Sequence, residues 1–135
     1  MSSNPNAQLD ISGFGSKINL MNLDSAVFYS SDADKVVSFY RDTLGFQVDY
    51  IQEGRFASFI FPNGARLGIK TSREEREIPG HQTVFISVSN IEKVYELLKS
   101  KRLTFNKELN SQSWGKEFSI LDPDANKVLF IERPS

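Results

Sequence analysis

The chain has 135 residues, 39% hydrophobic and 24% charged, with eleven Phe and a formal net charge of −1. That length suits one domain with a real core, and so small a charge gives no long-range pull toward nucleic acid or an anionic membrane. The absence of Cys excludes disulfides, a thiolate nucleophile and Cys-based metal sites; no stretch approaches a membrane span and the polar N-terminus lacks the apolar core of a signal peptide, so a cytoplasmic location is expected.

Residues 1–16 are rich in Ser, Asn and Gly and are expected to form a loose arm, with Leu9, Ile11 and Phe14 available to dock on the domain or on a partner subunit. The remainder, 17–135, is expected to be a single domain, opening with a short extra strand over Lys17 to Leu23. A first module over about 23–70 starts with an apolar, aromatic strand at Ala26 to Ser30. Ser31 and Asp32 are good N-caps for a helix whose apolar face is Ala33, Val36, Val37, Tyr40 and Leu44, stopped by Gly45. Phe46 to Gln52 alternates as a half-buried strand, Glu53-Gly54 reads as a hairpin turn, and Arg55 to Phe61 as its return strand. Pro62-Asn63-Gly64 makes the next turn and Ala65 to Lys70 the next strand.

Residues 71–80, TSREEREIPG, read as a solvated linker, the alternative being a flap over a site. A second module over about 81–133 follows, with a strand at Gln82 to Val88, a helix from Asn90 to about Lys101 and a short strand at Leu103 to Lys107. Then come a polar loop at Glu108 to Ser113, a strand at Gly115 to Leu121, a turn at Asp122 to Asn126 and a last strand at Lys127 to Glu132. The two modules are one plan repeated. At an offset of 58, Ser25-Ala26-Val27-Phe28 aligns with Thr83-Val84-Phe85-Ile86 and Asp32 with Asn90; at an offset of 61, Pro62-Asn63-Gly64 aligns with Pro123-Asp124-Ala125. Each module reads as βαβββ.

The run from Asp32 to the FYRDTLGF segment ending at Phe46, the FPNG turn at Phe61–Gly64, TVFISVSNIEKVYELL at Thr83–Leu98 and WGKEFSILDPDANKVLFIE at Trp114–Glu132 carry a family likeness. From about Leu23 to Arg133 the chain resembles the vicinal oxygen chelate superfamily, the glyoxalase/bleomycin-resistance/dioxygenase group. The resemblance implies an α+β fold in which two βαβββ modules form a curved mixed sheet around a central cavity, often as a homodimer. In metal-dependent members up to four His, Gln or Glu ligands stand on the first and last strand of each module, where they hold a divalent cation that polarises substrate oxygens. Those positions project onto Ser25, Gly68, Thr83 and Leu129, and the internal repeat pairs the same four residues. Glycine and leucine cannot bind a metal and lone hydroxyls bind it poorly, so no metal or other cofactor is expected.

Strand parity extends the cavity face to Val27 and Tyr29, Arg66 and Lys70, Phe85 and Ser87, and Ile131. The opposite face holds Ala26 and Phe28, Leu67 and Ile69, Val84, Ile86 and Val88, then Val128 and Phe130, all apolar where helices would pack. Tyr29, Arg66, Lys70, Phe85 and Trp114 are therefore the candidate ligand-binding residues. Arg66 and Lys70 suit an anionic ligand group, or else are strand-end charges reaching solvent; Trp114 suits stacking on a planar ligand, or else fills a core or dimer contact. Phe56, Phe59 and Phe61 read mostly as core. His81, the lone histidine, reads as a loop or strand-edge residue; with Tyr29 it is the only acid/base candidate. There is no Gly-rich phosphate loop and no nucleophile elbow.

Three functions remain open: a metal-free protein that binds or sequesters a small molecule, in the manner of the bleomycin-resistance branch; a glyoxalase- or dioxygenase-like enzyme with a non-standard site; and a protein-interaction domain. The first is favoured, because an intact fold with a stripped metal site still has a cavity.

Overall fold

In the computed structural model, which describes residues 20–135, the chain runs twice through a strand, a helix and three more strands. The first round comprises β1 (Ala26–Ser30), α1 (Ala33–Ser38), β2 (Val48–Gln52), β3 (Phe56–Ile60) and β4 (Arg66–Thr71). The second comprises β5 (Thr83–Ser87), α2 (Ile91–Lys99), β6 (Thr104–Gln112), β7 (Gly115–Leu121) and β8 (Lys127–Glu132). The expected mixed sheet is realised as two four-stranded halves, ordered β1-β4-β3-β2 and β5-β8-β7-β6. In each half the first and last strands of the round pair in parallel and the other pairs are antiparallel. Val27 lies opposite Gly68 and Phe85 opposite Leu129. Val27 and Phe85 are 58 residues apart and Gly68 and Leu129 are 61 apart, so the offsets read in the sequence superpose the rounds strand on strand.

Each helix begins where a side chain supplies the acceptor that the first turn lacks. Asp32 Oδ1 accepts the backbone N–H of Lys35 at 3.4 Å, and Asn90 Oδ1 accepts that of Lys93 at 3.3 Å. The first helix does not continue regularly to Leu44 as its periodicity predicts. It passes at Phe39–Thr43 into a π-helical turn, in which the Leu44 N–H donates to the Phe39 carbonyl at 3.1 Å. Gly45 then ends it with φ 76°, the left-handed conformation that glycine adopts most easily.

Strand alternation sends Phe28, Leu67, Ile69, Val128 and Phe130 toward the helices, where they join Val36, Val37, Tyr40, Phe118 and Ile120 in one buried cluster. Burial of each such side chain contributes roughly 1.5–3 kcal/mol. The cluster draws on both rounds, and two polar contacts cross between them. Tyr40 Oη donates to Asp122 Oδ2 at 2.6 Å, and Lys101 Nζ donates to the Thr43 carbonyl at 2.7 Å.

Four expectations are corrected or fall outside the described residues. The polar run 108–113 is not a loop: β6 extends through Gln112, with Asn110 opposite Glu117 and Ser111 opposite Lys116. β6 is a sheet edge, where polar residues are tolerated, and two register shifts absorb its irregularity. The linker is not solvated throughout. Glu77 is buried, and its carboxylate accepts Lys70 Nζ at 2.7 and 2.8 Å and the Arg73 N–H at 2.8 Å. The arm expected over 1–16 lies outside the described residues, and of the strand expected over Lys17 to Leu23 the described part, 20–23, is not a strand.

Candidate functional site: a groove along the first half-sheet

A cleft of about 730 Å³ opens between the approach to β1, the β3–β4 turn and β5. Ser25, Arg66 and the turn Pro62–Gly64 form one wall; Phe85 and Ser87 form the other. The turn is held by the Phe61 N–H donating to the Ala65 carbonyl at 2.9 Å and the Gly64 N–H donating to the Phe61 carbonyl at 2.8 Å. Phe85 stands 59% exposed in this cleft, a large apolar area left to water by a ring at the centre of a strand.

The cleft continues into a second hollow of about 250 Å³, with which it shares Asp24, Ser25 and Arg66, and this in turn meets a third of about 300 Å³ through Tyr50 and Phe56. The three make one groove along the face of the first half-sheet turned away from the helices. Its middle is walled by the Tyr50 and Phe56 rings, 5.9 Å apart and tilted by 30°. The groove is mostly apolar at its two ends and polar in its middle, where Asp24, Ser25, Asp49, Ser58 and Arg66 stand, and such apolar walls with placed polar groups suit a small organic ligand.

The sequence-predicted residues divide among several places. Ser25, Arg66 and Phe85 meet in the cleft. Arg66 Nε also donates to Asp49 Oδ2 at 3.0 Å, so its charge is already paired. Lys70 lines the third hollow and is paired with Glu77. Tyr29, half-buried on β1, lies opposite Lys70 in the strand register. Trp114 sits on the β6–β7 turn, half exposed, its Nε1 donating to Glu117 Oε1 at 2.6 Å. His81 precedes β5 in an exposed left-handed conformation, φ 63°, with its backbone N–H donating to the Ala125 carbonyl at 3.2 Å. It does not line the groove.

The metal that the resemblance implies for part of the family does not fit these residues. Thr83 is exposed at the start of β5 and Leu129 is buried hydrocarbon. The space beside Gly68 is taken by an aromatic ring: a Cβ built there would lie 2.6 Å from Phe56 Cζ. Among the described residues no group of three or more His, Cys, Asp or Glu side chains is placed to hold an ion.

Several contributors were not anticipated. Of the three phenylalanines read as core, Phe59 is fully buried, whereas Phe56 covers Gly68 on the groove face and Phe61 lines the cleft. The alternation of β3, with Phe56 and Ser58 opposite Lys70 and Gly68, was the available signal. Glu77 gave none, since nothing local separates it from Glu74 and Glu75. Lys70 and the Arg73 N–H hold its carboxyl well below the usual range, at about 2. On the second half-sheet the equivalent of Phe56 is Glu117, buried and bonded to Trp114.

The model of the Glyoxalase/Bleomycin resistance protein/Dioxygenase superfamily matches residues 22–130. No curated protein sequence matches the chain. Among solved structures, a member of that superfamily from Sphaerobacter thermophilus is 24% identical, with a TM-score of 0.72 over 84% of this chain and 98% of that one. The bleomycin-binding protein of Streptomyces verticillus, complexed with copper(II)-bleomycin, is 22% identical with a TM-score of 0.68, over 84% and 99%. Lactoylglutathione lyase from Agrobacterium tumefaciens is 16% identical with a TM-score of 0.68, over 82% and 92%. At such identities the structures establish a shared fold, and that fold is common to binders and enzymes alike. With most of its length matched by the family model and its two βαβββ rounds in place, the chain belongs to the Glyoxalase/Bleomycin resistance protein/Dioxygenase superfamily.

Proposed function

We propose that this protein binds a small, aromatic-bearing molecule in the groove and holds it without a metal and without chemical conversion. The observation that carries this reading is the coexistence of a roomy cleft, with Phe85 bare in it, and a set of projected ligand positions that offers no donor set. A bare ring in a concave site is stabilised by stacking on a planar partner. That a solved protein of this fold binds bleomycin supports the reading by analogy alone. The protein is further proposed to act as a cytoplasmic homodimer; light scattering gives the mass directly.

The test is elemental analysis of purified protein, followed by thermal shift with chelator, with divalent metals and with a library of planar compounds. The expected result is no stoichiometric metal, no shift with metals, and a saturable upward shift with some planar compounds that is lost in Phe85→Ser. Stoichiometric nickel, zinc, iron or manganese that stabilises the fold would overturn the metal-free reading. A library without a single saturable shift would overturn the binding reading.

A further inference from the structure

We infer that the far end of the groove is an oxyanion subsite, built by Arg55 and Arg73, which selects ligands carrying a carboxylate, sulfonate or phosphate on an aromatic body. The inference rests on the proposal that the groove binds a small molecule, and adds the chemical class of that molecule.

Four cations lie along this face, and the structure sorts them. Arg66 is paired with Asp49 at 3.0 Å and Lys70 with Glu77 at 2.7 Å, so neither has a free charge to offer a ligand. Arg55 and Arg73 both line the third hollow, and among the described residues neither guanidinium has an ion-pair partner. Their positions come from the backbone. The Arg55 carbonyl accepts the Thr71 N–H at 2.8 Å, which ties the β2–β3 hairpin to the end of β4. The Arg73 N–H donates to the buried Glu77 carboxylate at 2.8 Å, which fixes the start of the linker beside it. Glu77 thus does two things: it cancels Lys70, and it holds Arg73 at the rim.

The remaining lining is the Tyr50 and Phe56 ring pair with the amide of Gln52. Two guanidinium forks beside an aromatic wall recognise a planar body with an oxyanion at its end, because each fork presents parallel N–H donors that match such a group. Asp24 lines both the cleft and the middle hollow and Asp49 the middle hollow, whereas none of the described acidic residues lines the third, so the two ends differ in charge. A ligand lying along the groove is therefore oriented with its anionic group at the hairpin end.

The probes are 2-naphthoate and its neutral analogue 2-naphthamide, titrated calorimetrically into the full chain at low and high salt. Charge-assisted bonds of this kind favour naphthoate by about tenfold or more, an advantage that salt erodes because the site is open to solvent. In Arg55→Gln/Arg73→Gln the preference for naphthoate over naphthamide is expected to vanish. Each single variant loses part of it, which keeps the test usable should the double variant not fold. Equal binding of the two probes by the wild type, or a preference that survives the double substitution, would overturn the subsite while leaving the groove's binding role standing. Failure of both probes to saturate would also overturn the subsite; the groove itself is judged by the planar-compound library.

Discussion

The two rounds contain the same turn put to opposite uses. Phe61-Pro62-Asn63-Gly64-Ala65 and Asp122-Pro123-Asp124-Ala125-Asn126 share their backbone bonds: residue four donates to the carbonyl of residue one at 2.8 and 2.9 Å, and residue one to that of residue five at 2.9 Å in both. In the first round the opening residue is Phe61, and the turn stands open as the cleft's wall. In the second it is Asp122, buried, with Oδ1 accepting the N–H groups of Asp124 and Asn126 and Oδ2 accepting Tyr40 Oη and Asn126 Nδ2. Burial and the neighbouring Asp122 carboxylate push the Tyr40 phenol far up, so it remains a donor at any ordinary pH. One backbone motif thus supplies a binding surface in one place and a structural lock in the other. The difference lies in one side chain and in what packs against it.

That contrast can be broken by removing the lock. Asp122→Ala strands four donors, three of them buried, and is expected to cost about 3 kcal/mol or more, read by denaturant unfolding, whereas Phe61→Ala, at the half-buried equivalent position, should cost distinctly less. Tyr40→Phe removes a single donor from the same carboxylate and is expected to cost about 1–3 kcal/mol, with little effect on ligand binding in the groove.

The first round has its own pin, and acid reveals it. Glu77 has a folded pKa near 2 against an ordinary 4.5, so its ion pair stabilises the fold above the ordinary value and is lost as pH falls toward 2. The melting temperature should drop through that window in the wild type, and the drop should be shallower in Glu77→Gln. A finer comparison swaps the fourth residues of the two turns. Gly64 has φ 87° and Ala125 φ 66°, both left-handed. Gly64→Ala is expected to cost about 1 kcal/mol and Ala125→Gly to gain a comparable or smaller amount, because only the latter position now carries a Cβ in that region.

The elements were largely legible. Ala33, Val36, Val37 and Tyr40 read as one helical face and are buried together; strand alternation separates buried Phe28, Leu67 and Ile69 from Arg66, Lys70 and Phe85, but Ala26, read as core-facing, is exposed, and Leu129 and Ile131, read as cavity-facing, are buried. The π-helical turn at Phe39–Thr43 was not legible, since one extra residue hardly disturbs an apolar pattern. The role of Asp122 was hidden too. A turn aspartate is ordinary, and the hydroxyl that makes this one structural lies 82 residues away. Lys70 and Arg66 looked like free cations because their partners, in the linker and on β2, carry no local mark as such.

What the sequence determined by itself is what repeats: the two rounds, their offsets and the alternation along most strands. These follow from backbone geometry, whose periods of 3.6 and 2 residues write themselves directly onto side-chain order. What only the tertiary structure decided is the groove and its charge. Whether a guanidinium is free depends on which carboxylate lands within a few ångströms of it, and Coulomb interaction falls with distance in space, not with separation along the chain. Asp49 and Glu77 landed beside Arg66 and Lys70; at Arg55 and Arg73, none of the described carboxylates did.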